Sequence, residues 1–428
     1  MLKKHIILFC CIIISIFLGE TKIAYAEALN QEAIEKSFNS AKTSREKAIL
    51  EAFQSAENKI TLPKEKAGFF SFILSQISPY FSLNTEYNDN IYLTKDNPKS
   101  DITNIFNPGI KFVPKEGGES KWKTEFDIGT NIYNNLRHSE QNSQTPYINF
   151  LLQIGQRKRI LKIKQAFEKV LIATSSLESG TEGISEYSVY NTGLNYKRTY
   201  NRLGYELDYQ KTTYNYEKEF KSTNSYFDHN FGITGFIIPP AMPKTEVFWE
   251  YNYGQIEYTK TASTSRNADY FKYGIGIRGE ITKKIKGVVK FGYQQRDNKE
   301  GSDYATTTVN VNLNYRLLPK DNLALKIMRQ INESSYAGEG ASKENGLSLN
   351  YQHIFNQRLN SDIGIAYSQS KNNSNRKDNL YTYSLGLSYS FRSWLQSNIK
   401  YTHQEKDSNF INSDYKNNSF SLGLRMGF

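Results

Sequence analysis

The residue groups best placed by type and spacing to do chemistry are few. Gly274-Ile275-Gly276-Ile277-Arg278-Gly279 has the GxGxxG spacing that lets backbone amides approach a dinucleotide pyrophosphate when it joins a strand to a helix. Here the glycines alternate with apolar residues inside one strand-like run, so the spacing reads as small residues on a polar face. His138, His229, His353 and His403 are scattered, with no HExxH and no carboxylates paired at fixed spacing. A rim hydrolase would need Ser or Asp held beside His, and nothing meets that description; His403, next to Glu405 and Asp407, reads as a solvated loop group. Asp89, Asp96 and Asp101 have the type to ligate calcium, but Asx-rich turns are far commoner than Asx-built sites. No catalytic residue, metal or cofactor is therefore expected, and the chain does not read as an enzyme.

The more informative chemistry is charge carried on alternating positions. Read by that alternation, Lys272, Arg278, Lys286, Lys290, Arg296, Arg316, Lys326, Arg392, Lys400 and Arg425 share one face of the later strands, opposed mainly by Glu280 and Asp362. Glu125, Asp127, Glu206, Asp208, Glu246 and Glu250 take the same face of earlier strands. If that face lines a bore, one wall is positive and the other negative, and a low-dielectric channel with such walls selects ions by sign. The alternative is that the charges pair across the bore and fill it.

The elements that must position these residues are strands. In the last segment Phe420, Leu422, Leu424, Met426 and Phe428 alternate with Ser419, Ser421, Gly423, Arg425 and Gly427. Tyr381 to Arg392, Val309 to Leu317 and Phe271 to Arg278 repeat the pattern, one face greasy and the other wet. About eighteen such segments follow one another, starting near residues 80, 245, 285, 321, 344, 395 and 417 among others, with no convincing helix between them. Their connections alternate in length. Gln156-Arg157, Thr199-Tyr200, Lys283-Lys284, Leu318-Pro319-Lys320, Asn356-Gln357 and Arg392-Ser393 are short, whereas Asn134 to Gln144, Thr174 to Gly183, Thr259 to Ala268, Glu333 to Lys343 and Glu405 to Lys416 are long and polar.

Short turns at one rim and long loops at the other predict an all-β fold, a transmembrane antiparallel up-and-down barrel. An apolar face in lipid cannot tolerate an open edge, because each unpaired backbone group in hydrocarbon costs several kcal/mol, so the first and last strands must meet. A soluble two-layer sandwich would give the same alternation. Against it stand the one-sided loops, the Tyr and Phe at strand ends where aromatic girdles belong, and the terminal Phe428, read as a membrane-insertion signal.

Composition agrees. The chain has 428 residues, 38% of them hydrophobic, which is too polar for a bundle of membrane helices. Lys3 and Lys4, the short apolar run Ile6 to Leu18 and Ala24-Tyr25-Ala26 read as a signal peptide over residues 1–26, cleaved on export. Both cysteines, Cys10 and Cys11, lie within it, so disulfides and thiolate chemistry are excluded from the mature chain. Residues 27–66 place Ile34, Phe38, Ala41, Ile49, Phe53, Ala56 and Ile60 at helical spacing before Pro63, an amphipathic periplasmic segment too short to make a globular plug. The barrel is expected over residues 70–428. The excess of 54 Lys and Arg over 43 Asp and Glu is interspersed along strands without a groove-reading motif, which argues against nucleic acid as partner.

Glu86-Tyr87-Asn88-Asp89-Asn90-Ile91-Tyr92-Leu93, Ser100-Asp101 and Asn107-Pro108-Gly109-Ile110 resemble the opening of the putative β-barrel porin 2 family of Gram-negative outer-membrane proteins. The stretch from Tyr383 through Trp394-Leu395, Tyr401 and Ser413-Asp414-Tyr415 to Phe428 resembles its close. The resemblance implies an outer-membrane location, no catalytic residues and a frequent association with exopolysaccharide genes. Outer-membrane lipid, lipopolysaccharide and the barrel-assembly machinery are then the expected partners. Two functions are carried forward: a channel for polar, anionic solutes or exopolysaccharide export, and a structural or adhesive surface barrel whose lumen is filled by side chains.

Overall fold

The computed structural model describes residues 76–114, 122–156, 158–174, 183–217, 224–260, 266–334, 340–373 and 375–427. The signal peptide, the helical segment and Phe428 lie outside these residues. Eighteen strands follow in chain order: β1 Ile77–Asn88, β2 Asp101–Phe112, β3 Trp122–Asn135, β4 Ser143–Ile154, β5 Arg159–Thr174, β6 Gly183–Tyr200, β7 Leu203–Tyr216, β8 Tyr226–Ile237, β9 Thr245–Tyr258, β10 Ala268–Glu280, β11 Ile285–Asn298, β12 Tyr304–Leu318, β13 Asp321–Glu333, β14 Ala341–Ile354, β15 Leu359–Lys371, β16 Lys377–Arg392, β17 Leu395–Ser408 and β18 Tyr415–Gly427. Each pairs antiparallel with its sequence neighbours, and β1 also pairs with β18 from Tyr80↔Gly427 to Asn88↔Ser419. The sheet is thus a closed barrel, and closure leaves no edge for lipid to strip of hydrogen bonds. Every strand has at least 12 residues, more than the nine to eleven or so that a tilted strand needs to cross a bilayer.

The greasy faces point outward. Ile275 is 68% exposed, Leu385 and Phe291 55%, and Leu422 52%, values that exclude a second layer stacked on this face. The polar faces point inward, because side chains on strands that do not pair meet there: Arg278 of β10 reaches Glu206 of β7, and Tyr80 of β1 reaches Asp127 of β3. Aromatic rings on the inner face lie over glycines of the next strand, Tyr80 over Gly109, Tyr147 over Gly129, Tyr270 over Gly254 and Phe248 over Gly276. Each glycine gives up a side chain so that a ring can lie flat on the wall.

Short turns join β6 to β7 at Asn201-Arg202, β12 to β13 at Pro319-Lys320 and β16 to β17 at Ser393-Trp394. Asn201 has a φ of 53°, a left-handed conformation that asparagine tolerates and that suits a two-residue hairpin. At the opposite rim Asp101 is fully buried, and its carboxylate accepts from the backbone amides of Ile102, Leu136, Arg137 and His138 at 2.6 to 3.1 Å. Asp89 accepts from the Asn418 amide and side chain. These two aspartates organise loops and leave little of a calcium shell. His403 is not a loop group: it lies in β17, bonded to Asn418 at 2.8 Å and beside the ring of Tyr383. The polar sequence around it disguised a strand that runs past the apolar belt.

One hairpin leaves the wall. Pairing of β13 with β12 stops at Val309↔Arg329, and pairing of β14 with β15 stops at Lys343↔Lys371, whereas β13 and β14 stay paired with each other up to Glu333↔Ala341. The released end bends inward. The Ile331 amide donates to the Gln294 side chain of β11, whose own amide donates back to the Ile331 carbonyl. Tyr304, Ile331 and Ala341 pack together beneath it.

Candidate functional site: the inner wall

The antiparallel register brings the charged residues into contact. Glu206 of β7 lies 2.9 Å from Lys197 of β6 and 2.5 Å from Arg278 of β10, and Glu246 of β9 binds the same two cations at 2.5 and 2.7 Å. Phe236 and Phe248 flank this four-charge knot, with Lys197 4.4 Å and Arg278 5.1 Å from their ring centres. Lys290 of β11 pairs with Glu250 of β9 at 2.7 Å. Glu125 pairs with Lys123 at 2.8 Å, Asp127 accepts from the Tyr80 hydroxyl at 2.7 Å, and Asp208 accepts from Asn195 at 2.6 Å.

The picture of two opposite walls of opposite sign is thereby corrected. Arg278 and Lys290 belong to strands adjoining or near the acidic ones, so they neutralise Glu206, Glu246 and Glu250 instead of facing them across the bore. Of the other basic residues, Lys286 pairs with Glu280 at 2.6 Å and Arg296 with Glu333 at 2.9 Å. Lys272 lies 4.7 Å from the Tyr270 ring centre, whose hydroxyl binds Asp228. Arg316, Lys326, Lys400 and Arg425 sit at inward register positions on β12, β13, β17 and β18 and have no ion-pair partner among the described residues. Arg392 is exposed beyond a register shift between Ser390 and Arg392, where alternation no longer sets its direction. Among the described residues ion pairs take up Glu206, Glu246, Glu250 and Glu280, whereas Asp127 and Asp208 keep their charge against neutral donors and Asp362 of β15 stands on the same wall as the four cations without an ion pair.

The anchor of the inward hairpin is the second centre. Arg296 is 1% exposed and grips Glu333 with two nitrogens, Nε to Oε1 at 2.9 Å and Nη2 to Oε2 at 3.0 Å. The Tyr258 hydroxyl donates to the same carboxylate at 2.8 Å, and Arg266 donates to the Ser334 carbonyl. Such a bidentate, buried pair is directional as well as strong. Glu333 was legible only as part of a long loop. Lys197 of β6 also escaped, as did the β5 lysines Lys162 and Lys164, whose run Arg159 to Lys169 carries charge on both faces and blurs the alternation. Among the described residues no three His, Cys, Asp or Glu converge as metal ligands.

A closed eighteen-strand barrel with a lipid-facing belt and a charged inner wall defines a transmembrane β-barrel of the porin class. Residues 71–428 match the family described as Putative beta-barrel porin 2, and the chain belongs to that family. Among solved structures it is similar to Pseudomonas aeruginosa OpdK with vanillate, at 9% identity and a TM-score of 0.48 over 83% of this chain and 99% of that one. It is also similar to OccK2 (OpdF) of the same organism, at 9% identity and 0.47 over 83% and 98%. The ferric enterobactin receptor PfeA of that organism gives 9% and 0.40 over 82% and 80%. No curated protein sequence matches.

Proposed function

We propose that this protein is a channel of the bacterial outer membrane, exported through a cleaved signal peptide, that passes polar, anionic solutes or an exopolysaccharide chain. The observation that carries the reading is the set of inward basic residues on β12, β13, β17 and β18 that have no ion-pair partner among the described residues. Glu206, Glu246 and Glu250 are neutralised, while Arg316, Lys326, Lys400 and Arg425 keep their charge on the inner wall. Unpaired cations spaced along a water-filled path offer weak, exchangeable sites, which conduction requires. Exopolysaccharide enters through the family resemblance and not through the charge. Outer-membrane lipid, lipopolysaccharide and the assembly machinery are its proposed partners, and no catalysis is assigned. Purified protein inserted in planar bilayers tests this. The reading expects anion-over-cation permeability that falls, or inverts, when Arg316 and Lys326 are both changed to Glu; unchanged selectivity overturns it.

A filled structural or adhesive barrel is the second reading. It is favoured by the hairpin anchored on Arg296, which occupies part of the mouth. Absence of any ion current from inserted protein would decide for it.

A further inference from the structure

A cavity of about 790 Å³ opens on the inner wall between β4 and β7, with Arg278 of β10 at its edge. Its acids on β7 are engaged: Glu206 is held by Lys197 and Arg278, and Asp208 by Asn195. Two of its cations are not. Lys162 and Lys164 on β5 stand at inward positions opposite Asn195 and Gly193, and neither ammonium has a partner among the described residues. Two residues apart on one strand face, they rise from the wall about 6.5 Å apart, within reach of a single carboxylate between them. The rest of the lining near them is amide and hydroxyl. Among the described residues Asn149 has no side-chain partner, and Asn191 and Gln210 donate to the Thr212 hydroxyl, which leaves their amide oxygens open. Amides that can both donate and accept match hydroxyl groups.

Gly193 keeps the cavity open. A Cβ there would meet nothing nearer than the Lys164 Cβ at 3.8 Å, so a side chain is admitted by the backbone, yet it would grow into the space the lysines face. Glu168, further along β5 and also lining the cavity, sets a negative end some four residues from Lys164. A ligand with its acid group at one end and hydroxyls beyond it suits this polarity.

We propose that this cavity binds a sugar acid, its carboxylate held between Lys162 and Lys164 and its hydroxyls on Asn149, Asn191 and Gln210. The volume falls within the 300 to 1,000 Å³ or so typical of small-molecule sites. The proposal deepens the channel reading and rests on it only in supposing that solute reaches the bore. Equilibrium dialysis of the detergent-solubilised full chain tests it with lactobionate as probe, lactose as the neutral control and inorganic phosphate as the control for charge alone. Lactobionate is expected to bind more tightly than either control. The Lys162→Gln/Lys164→Gln variant is expected to weaken it at least tenfold, and Gly193→Leu to abolish it with the lysines intact. Heat-modifiable migration in gels verifies that each variant is folded. Undetectable binding, equal affinity in the double lysine variant, or phosphate binding as tightly as lactobionate overturns the sugar-acid site. The two readings fail separately: dialysis needs no current, and a silent bilayer would sink the channel without touching the binding result.

Discussion

Glu333→Gln is the substitution that most directly tests how the inward hairpin is held. The carboxylate accepts two guanidinium bonds from Arg296 and one from Tyr258. Glutamine keeps one acceptor but turns an amide group toward a second donor, leaving a guanidinium that is 1% exposed without its counter-charge. Removing one partner of a buried ion pair costs about 3–5 kcal/mol. That loss falls on the local equilibrium of the hairpin end, because past Arg329 and Lys343 it has no neighbouring strand to hold it. At about 1.4 kcal/mol per decade, the released state gains roughly two to three and a half orders of magnitude in population. The Ile331 amide, bonded at 3.0 Å to Gln294, reports on release through hydrogen exchange. Exchange in peptides containing Ile331 is expected to accelerate by about that factor while β16 and β17 are unaffected. Arg296→Met combined with Glu333→Gln is expected to recover much of the loss, since the orphaned charge is then gone. Less than tenfold acceleration in the single variant, or no recovery in the double, refutes the anchoring argument.

Three further outcomes are expected. Leu385→Arg, on the outward face of β16, should destabilise the barrel by about 2–4 kcal/mol, against near zero for inward Thr402→Arg on β17, in denaturant unfolding from lipid vesicles; equal costs would remove the assignment of faces. Gly254→Ala drives a methyl group into the Tyr270 ring and should cost roughly 1–3 kcal/mol, seen as a lower unfolding temperature in detergent, which Tyr270→Ala in the same chain relieves. At the long-loop rim, the hydrogen bond from Lys95 at 2.9 Å, aided by the Ser408 amide, holds the Asp414 carboxyl below the usual aspartate range. Because the folded value lies under the unfolded value of about 3.9, this tie between the first and last long loops is complete above about pH 4 and is lost as pH falls through the folded value. A carboxyl NMR titration of Asp414 with its midpoint at or above 3.9 would contradict it.

Alternation alone carried the fold. A period of two over 350 residues, with strand starts read near 245, 285, 321 and 395 and found at Thr245, Ile285, Asp321 and Leu395, determined the strand number and which residues share a face. It did so because a β-strand has no freedom to place neighbours on the same side. The environment then required closure. What alternation cannot express is distance across the sheet. That Arg278 meets Glu206, although 72 residues separate them, depends on three intervening strand registers and the curvature of the wall. The same holds for Arg296 and Glu333, whose meeting needs β13 to peel from β12, an event that no local pattern announces. Alternation by itself determined which charges share a face of each strand. Only the tertiary structure decided which of them cancel, because cancellation is a matter of ångströms between strands and not of period along one.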